Sequence, residues 1–165
     1  MGWERKRGKL EEFNRLLLGR SDTSFSVQYG DLSILPTIKY VITLDADTIL
    51  PRDSAHRLVG TLAHPLNRAC YDPGSGSISA GYTVIQPRTE IKPTSSQRTL
   101  FSRIFSGDPG LDLYTLAVSD VYQDLFGECI YVGKGIYDVR SFAACMDGRI
   151  SENTLLSHDL FEGLH

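Results

Sequence analysis

Apolar and polar positions along the chain fall into blocks that alternate between helical and extended periods. Over residues 3–18, Trp3, Leu10, Phe13, Leu16 and Leu17 recur near one face of a helix, and Gly19 stands where a glycine cap would end it. The polar stretch Arg20 to Asp31 reads as a loop. Ile38 to Leu44 is a β-branched apolar run, the pattern of a strand buried on both faces, as in a parallel sheet covered by helices. After a turn over Asp47 to Asp53, Ala55, Leu58, Val59, Leu62 and Ala63 repeat at i, i+3, i+4, i+7 and i+8, which predicts an amphipathic helix. His64-Pro65 ends that helix, because a residue before proline avoids the helical region.

Further along, Asp72 to Ser79 is rich in glycine and serine and reads as a loop, and Gly81 to Gln86 as a strand closed by Pro87. Arg88 to Asp124 mixes short helical patterns with breaks around Gly107-Asp108-Pro109-Gly110. Cys129 to Val132 is a short strand candidate, Gly133-Lys134-Gly135 a turn, Ile136 to Met146 a helix with Val139, Phe142, Ala143 and Met146 on its apolar face, and Asn153 to His165 a further helix. Strands alternating with helices predict an α/β architecture with a mostly parallel sheet flanked by helices. About three good strands is few for such a sheet, and the pattern stops without a terminating signal at Leu164-His165. The expectation is therefore one partial domain over residues 1–165.

Composition narrows the class. At 41% hydrophobic and 22% charged residues the chain is globular in type rather than disordered. A net charge of −3 lacks the basic footprint of a nucleic-acid binder, so no nucleic-acid partner is expected. The basic group Arg5-Lys6-Arg7-Lys9 is followed by Glu11-Glu12 and reads as a local site or a solvated helix face. Three cysteines, Cys70, Cys129 and Cys145, show no zinc spacing and read as reduced, partly buried thiols. The polar N-terminus has no secretory h-region, and no run approaches the ~18 apolar residues of a membrane span.

The chemistry centres on Asp45 and Asp47, directly after the apolar run at 38–44. In extended chain, residues i and i+2 point to one side, so both carboxylates can converge on one cation. Ligands of open α/β sheets sit beyond the carboxyl ends of the strands. Mg2+ or Mn2+ there would take one or two carboxylates plus substrate phosphates. The D-x-D pattern alone is common, and the bland reading is that these acids cap the following turn. Haloacid-dehalogenase-type phosphatases use the same pattern with the first Asp as nucleophile, but their later acidic pair has no counterpart here.

Two more segments add weight. Gly8-Lys9-Leu10-Glu11-Glu12-Phe13-Asn14 resembles the G-K-x-x-x-[LF]-N segment upstream of the D-x-D strand in inverting GT-A glycosyltransferases. Ser157-His158-Asp159 stands where those enzymes carry T-E-D, with His in place of Glu. Asp159 with Glu162 is also a helix-capping arrangement. Tyr40 to Thr48, Gly81 to Arg88, Gly133 to Val139 and Leu156 to Gly163 together resemble the glycosyltransferase domain of cyclic β-1,2-glucan synthases.

That resemblance implies a GT-A (Rossmann-like) fold, here truncated at both ends, lacking the first nucleotide-binding strand and the C-terminal acceptor and membrane segments. It implies inverting transfer of glucose from UDP-glucose, with Mg2+ or Mn2+, to a growing β-1,2-glucan acceptor. Lys9, Asp45 and Asp47 would then bind the donor, the two aspartates also the metal, and Asp159 would act as general base. Gln86, Arg88, Gly133 and Gly135 would line the acceptor cleft. The parent protein would work at the cytoplasmic face of a bacterial inner membrane, with this piece soluble and, without the missing parts, short of full donor affinity or inactive alone. The expectations left open are a sugar transferase, a phosphatase, and a piece without catalysis of its own.

Overall fold

A computed structural model describes residues 5–87, 99–105, 125–126, 131, 133–146 and 148–149. The chain divides into two compact units, Met1–Gln86 with Ile130–His165, and Pro87–Cys129. In the second, the described residues are helix α3, Leu100–Phe105, and residues 125–126.

The first unit opens with helix α1, Arg5–Leu17. Its sequence is rich in Arg, Lys, Leu and Glu, all good helix formers. Glu11 links turns on either side of it, at 3.3 Å from Arg7 Nη2 and 2.6 Å from Arg15 Nη2. The end is set by Gly19 at φ +81. Gly19 N–H donates to Leu16 C=O at 3.0 Å and Arg20 N–H to Arg15 C=O at 2.9 Å, the paired bonds of a Schellman cap. The loop beyond is tied back to the helix by Ser24, whose N–H and hydroxyl both donate to the Glu12 carboxylate. A 3-10 turn at Leu32–Thr37, capped by Asp31, leads into strand β1, Tyr40–Thr43.

Helix α2, Ser54–Ala63, follows where its period places it, and ends before Pro65. The glycine- and serine-rich stretch is not a plain loop. It is a hairpin of β2, Cys70–Asp72, and β3, Ser77–Ala80. The Asp72 carboxylate makes the tip by accepting from Gly74 N–H at 2.9 Å and Ser75 N–H at 3.2 Å, a local bonding pattern that Asp offers readily. Strand β4 is Val84–Ile85, inside the expected 81–86.

A second correction concerns residues 136–146. Strand β5, Gly135–Asp138, occupies the start of the expected helix, and helix α4, Val139–Met146, only its remainder. The Asp138 carboxylate accepts from Arg140 and Ser141 N–H at 3.1 and 3.0 Å, which caps α4 and marks the switch from strand to helix.

The sheet order is β1-β5-β4, and both pairings are antiparallel. Among the described residues the parallel pairing is limited to one isolated bridge, Arg68 to Tyr82, and a mostly parallel sheet is not shown. β1 and β4 do run in the same direction, because each is antiparallel to β5, yet β5 stands between them. An apolar β-branched run points to burial but does not encode the direction of its neighbours, so the antiparallel partner of β1 could not be read from it. The α/β layering itself holds. Val41, Val84 and Tyr137 face α1 and α4, packing with Phe13, Leu17, Val139 and Phe142. Tyr40, Ile42, Ile85 and Ile136 face α2, packing with Leu58, Val59 and Leu62. The strict alternation along each strand puts one helical layer on each side of the sheet. Cys145 is buried and Cys70 exposed, both as free thiols, and burial pushes the Cys145 thiol up.

Candidate functional site

Asp45 lies two residues past the end of β1, where the chain leaves the sheet. Its carbonyl accepts from Thr48 N–H at 3.0 Å, closing a turn over Ala46 and Asp47. The extended backbone on which the same-side argument for Asp45 and Asp47 rests therefore stops at Asp45. Asp45 is half-buried, and Asp47 is exposed on the turn.

The Asp45 carboxylate is held from two sides. Lys6 Nζ is 2.8 Å from Oδ1, and Lys134 Nζ is 3.1 Å from Oδ2. Lys6 also donates to the Gly133 carbonyl at 2.8 Å, so one ammonium joins the start of α1, the exit of β1 and the turn before β5. The bond from Lys6, with a smaller contribution from Lys134, holds the Asp45 carboxyl below the usual aspartate range against the opposing cost of partial burial. The side chains of Lys6, Asp45 and Lys134 are 36%, 40% and 27% exposed, so each pair contributes at most about 1 kcal/mol and orients more than it stabilises.

The floor beneath is better buried. Thr43 Oγ1 lies 3.1 Å from the Tyr131 hydroxyl and donates to the Gly135 carbonyl at 3.3 Å. Gly133 sits at φ +73, a conformation side chains rarely adopt, which aims its carbonyl at Lys6. Gly135 is glycine for a different reason. A Cβ there would stand 2.5 Å from the Ile85 carbonyl oxygen of β4. Gln86, next in the chain, is half-buried. On the α1 and α4 side of the sheet, a cavity of about 500 Å³ is lined by Arg7, Glu11, Asn14, Tyr131, Tyr137 and Arg140, among others.

Of the residues singled out from the sequence, Asp45, Gly133 and Gly135 are brought together with β1 and β5. Lys9 is exposed on α1, and Lys6, one turn earlier, is the lysine in contact with Asp45. Arg88 and Asp159 lie outside the described residues. Lys6 and Lys134 were not singled out. The signal for Lys6 was a first helical turn that contains no acid and several cations, an arrangement opposed by the helix dipole and in want of another reason. Lys134 was visible only as the residue between two glycines.

A divalent cation can be tested against this donor set. Carboxylate oxygens are the hard ligands that Mg2+ and Mn2+ prefer, and such ions commonly use only one or two carboxylates beside substrate phosphates. An ionised carboxylate has about four acceptor positions. Two on Asp45 are taken by lysines, which leaves capacity for an ion shared with Asp47. No group of three or more His, Cys, Asp or Glu side chains is found among the described residues, so phosphate oxygens would have to complete the shell. The donor chemistry fits on that condition.

No family model matches the chain. A search of characterised proteins finds the cyclic beta-(1,2)-glucan synthase NdvB of Rhizobium meliloti (strain 1021), 49% identical over 164 residues. The match covers 99% of this chain and 6% of that protein's length. Among the described residues no helix is long and apolar enough to cross a membrane. The chain is thus related across almost its whole length to one segment of a cyclic beta-(1,2)-glucan synthase, the family to which its motifs pointed.

Proposed function

We propose that this chain is the donor-site part of an inverting glycosyltransferase that moves glucose from UDP-glucose onto a growing β-1,2-glucan. The observation that carries the reading is Asp45 at the exit of β1, flanked by two ammonium groups, in a chain 49% identical to a glucan synthase segment. A carboxylate and cations side by side past the end of a half-buried strand suit a ligand that brings its own phosphates. The phosphatase reading is not favoured, since the relative is a glucan synthase.

In this reading Asp45 and Asp47 would hold Mg2+ or Mn2+, which when bound supplies positive charge against a departing diphosphate. The protein's own groups do the rest. The turn closed by Thr48 N–H on the Asp45 carbonyl would bring both carboxylates to the donor. Lys9, exposed on α1, adds positive charge near the donor. Asp159 takes the proton of the acceptor 2-hydroxyl as its oxygen bonds to the anomeric carbon, while the bond from that carbon to UDP breaks. Gln86, Arg88, Gly133 and Gly135 line the acceptor side. The parent chain acts at the cytoplasmic face of a bacterial inner membrane.

The test is glucose incorporation from labelled UDP-glucose by the full-length protein, with linkage analysis of the product. Asp45→Asn and Asp159→Asn are each expected to lower incorporation by at least 100-fold, as loss of a charge-bearing catalytic group does. Incorporation at the wild-type rate in either variant would refute the assignment of that residue. A product without β-1,2 linkages would refute the proposed reaction.

A further inference from the structure

We propose that Lys6 and Lys134 bind the nucleoside diphosphate directly and give this site an affinity for it that does not need a metal. The inference rests on the donor-site reading above and adds two residues to it.

The geometry is that of a cation pair assembled on one carboxylate. Lys6 bonds Oδ1 of Asp45 at 2.8 Å and Lys134 bonds Oδ2 at 3.1 Å. Two ammonium groups against one carboxylate leave an excess of one positive charge. Among the described residues the further contact of Lys6 is the neutral Gly133 carbonyl, and neither lysine forms a second ion pair. Each ammonium has three N–H donors. Lys6 spends two, on Asp45 and Gly133, and Lys134 spends one on Asp45, so three remain for a ligand. Both lysines are about one third exposed, so a ligand can reach those donors from solvent.

The sequence places this charge where it costs stability. Lys6 sits in the first turn of α1, next to the positive end of the helix dipole, and that turn contains no acid to offset it. Lys134 approaches from the turn before β5, whose Gly133 adopts φ +73. The two cations thus come from segments 128 residues apart and meet on one side chain. A diphosphate carries more negative charge than a carboxylate and more acceptor oxygens. It can draw on both ammoniums at once, with Asp45 holding them in place before it arrives.

The experiment is equilibrium titration of the full-length protein with UDP and with uridine, in EDTA and then in Mn2+. UDP is expected to bind in EDTA. Lys6→Met and Lys134→Met should each weaken UDP about 5- to 20-fold in EDTA and leave uridine unchanged, while Lys6→Arg and Lys134→Arg, which keep the charge, should retain most of the UDP affinity. UDP binding that requires Mn2+ and is the same in the Met variants would overturn the lysine proposal and leave the donor site standing. Equal losses for uridine and UDP, or equal losses in the Arg and Met variants, would show a structural role only and also overturn it. No binding of UDP by the wild type under either condition would sink the donor-site reading itself.

Discussion

The Tyr137 hydroxyl donates to Oδ1 of Asn14 at 2.7 Å, joining β5 to α1 through buried groups. Asn14 is the asparagine of the G-K-x-x-x-[LF]-N segment, and here it points into the protein rather than toward a ligand at the exit of β1. It is 6% exposed and Tyr137 3% exposed. The segment thus fixes α1 against the sheet, and in doing so sets where Lys6, eight residues earlier, meets Asp45.

Tyr137→Phe removes the donor and leaves the buried Asn14 oxygen without it. The expected loss is about 1–3 kcal/mol, the cost of an unsatisfied buried polar group. A denaturant titration that shows no shift in midpoint would mean that the bond contributes nothing net.

Gly135→Ala tests whether that glycine serves the fold. The new Cβ would meet the Ile85 carbonyl oxygen at 2.5 Å, and since that atom is backbone, β4 and β5 would have to move apart. A loss of about 3 kcal/mol is expected, as for overpacking within a well-packed core. Near wild-type stability would show that β4 yields easily and that the close approach is not what demands glycine.

Helices α1 and α2 were legible because each carries its own period and stop. α1 has its Schellman glycine at Gly19 and α2 its proline at Pro65, both local signals. The sheet was not, for two reasons. Ile136-Tyr137 continues smoothly into the helical spacing of Val139, Phe142 and Ala143, and a short apolar run cannot say which period it belongs to. The antiparallel insertion of β5 between β1 and β4 depends on contacts across about 95 residues, which no local pattern encodes. At the candidate site, the position of Asp45 at the exit of β1 was legible from the apolar run before it. The choice of Lys6 over Lys9 was not, because residues three apart share a helix face and only the position of β1 relative to the start of α1 separates them.

Asp53 is the one non-glycine residue with positive φ among the described residues, at +64, and its side chain makes no capping bond to α2. Asp53→Gly relieves that conformation without losing a cap. It is expected to raise stability by roughly 0.5 kcal/mol, less than the full strain because glycine costs entropy on folding. Loss of stability in a thermal melt would show that the Asp53 carboxylate has an electrostatic role at the start of α2.

The lysine clamp has a pH signature. The folded pKa of Asp45 is depressed, chiefly by Lys6, so the unfolded state takes up the proton first as pH falls. The contribution of the clamp is therefore complete above the ordinary aspartate value and lost as pH falls through the lower folded value. Wild type and Asp45→Asn should differ in melting temperature by a constant amount from about pH 5 to 8, and the difference should shrink below about pH 4. The lysines are partly exposed, so the effect is small and weaker in high salt. A difference that grows on acidification would contradict the sign.

In the proposed reaction the exit of β1 receives the donor's diphosphate. Calorimetric titration of the full-length protein with UDP in Mn2+, repeated on Asp45→Asn and Asp47→Ala, tests it most directly. The wild type is expected to bind UDP, and both variants to lose at least tenfold in affinity with their folds intact by circular dichroism. Equal affinity in all three proteins would place the diphosphate elsewhere.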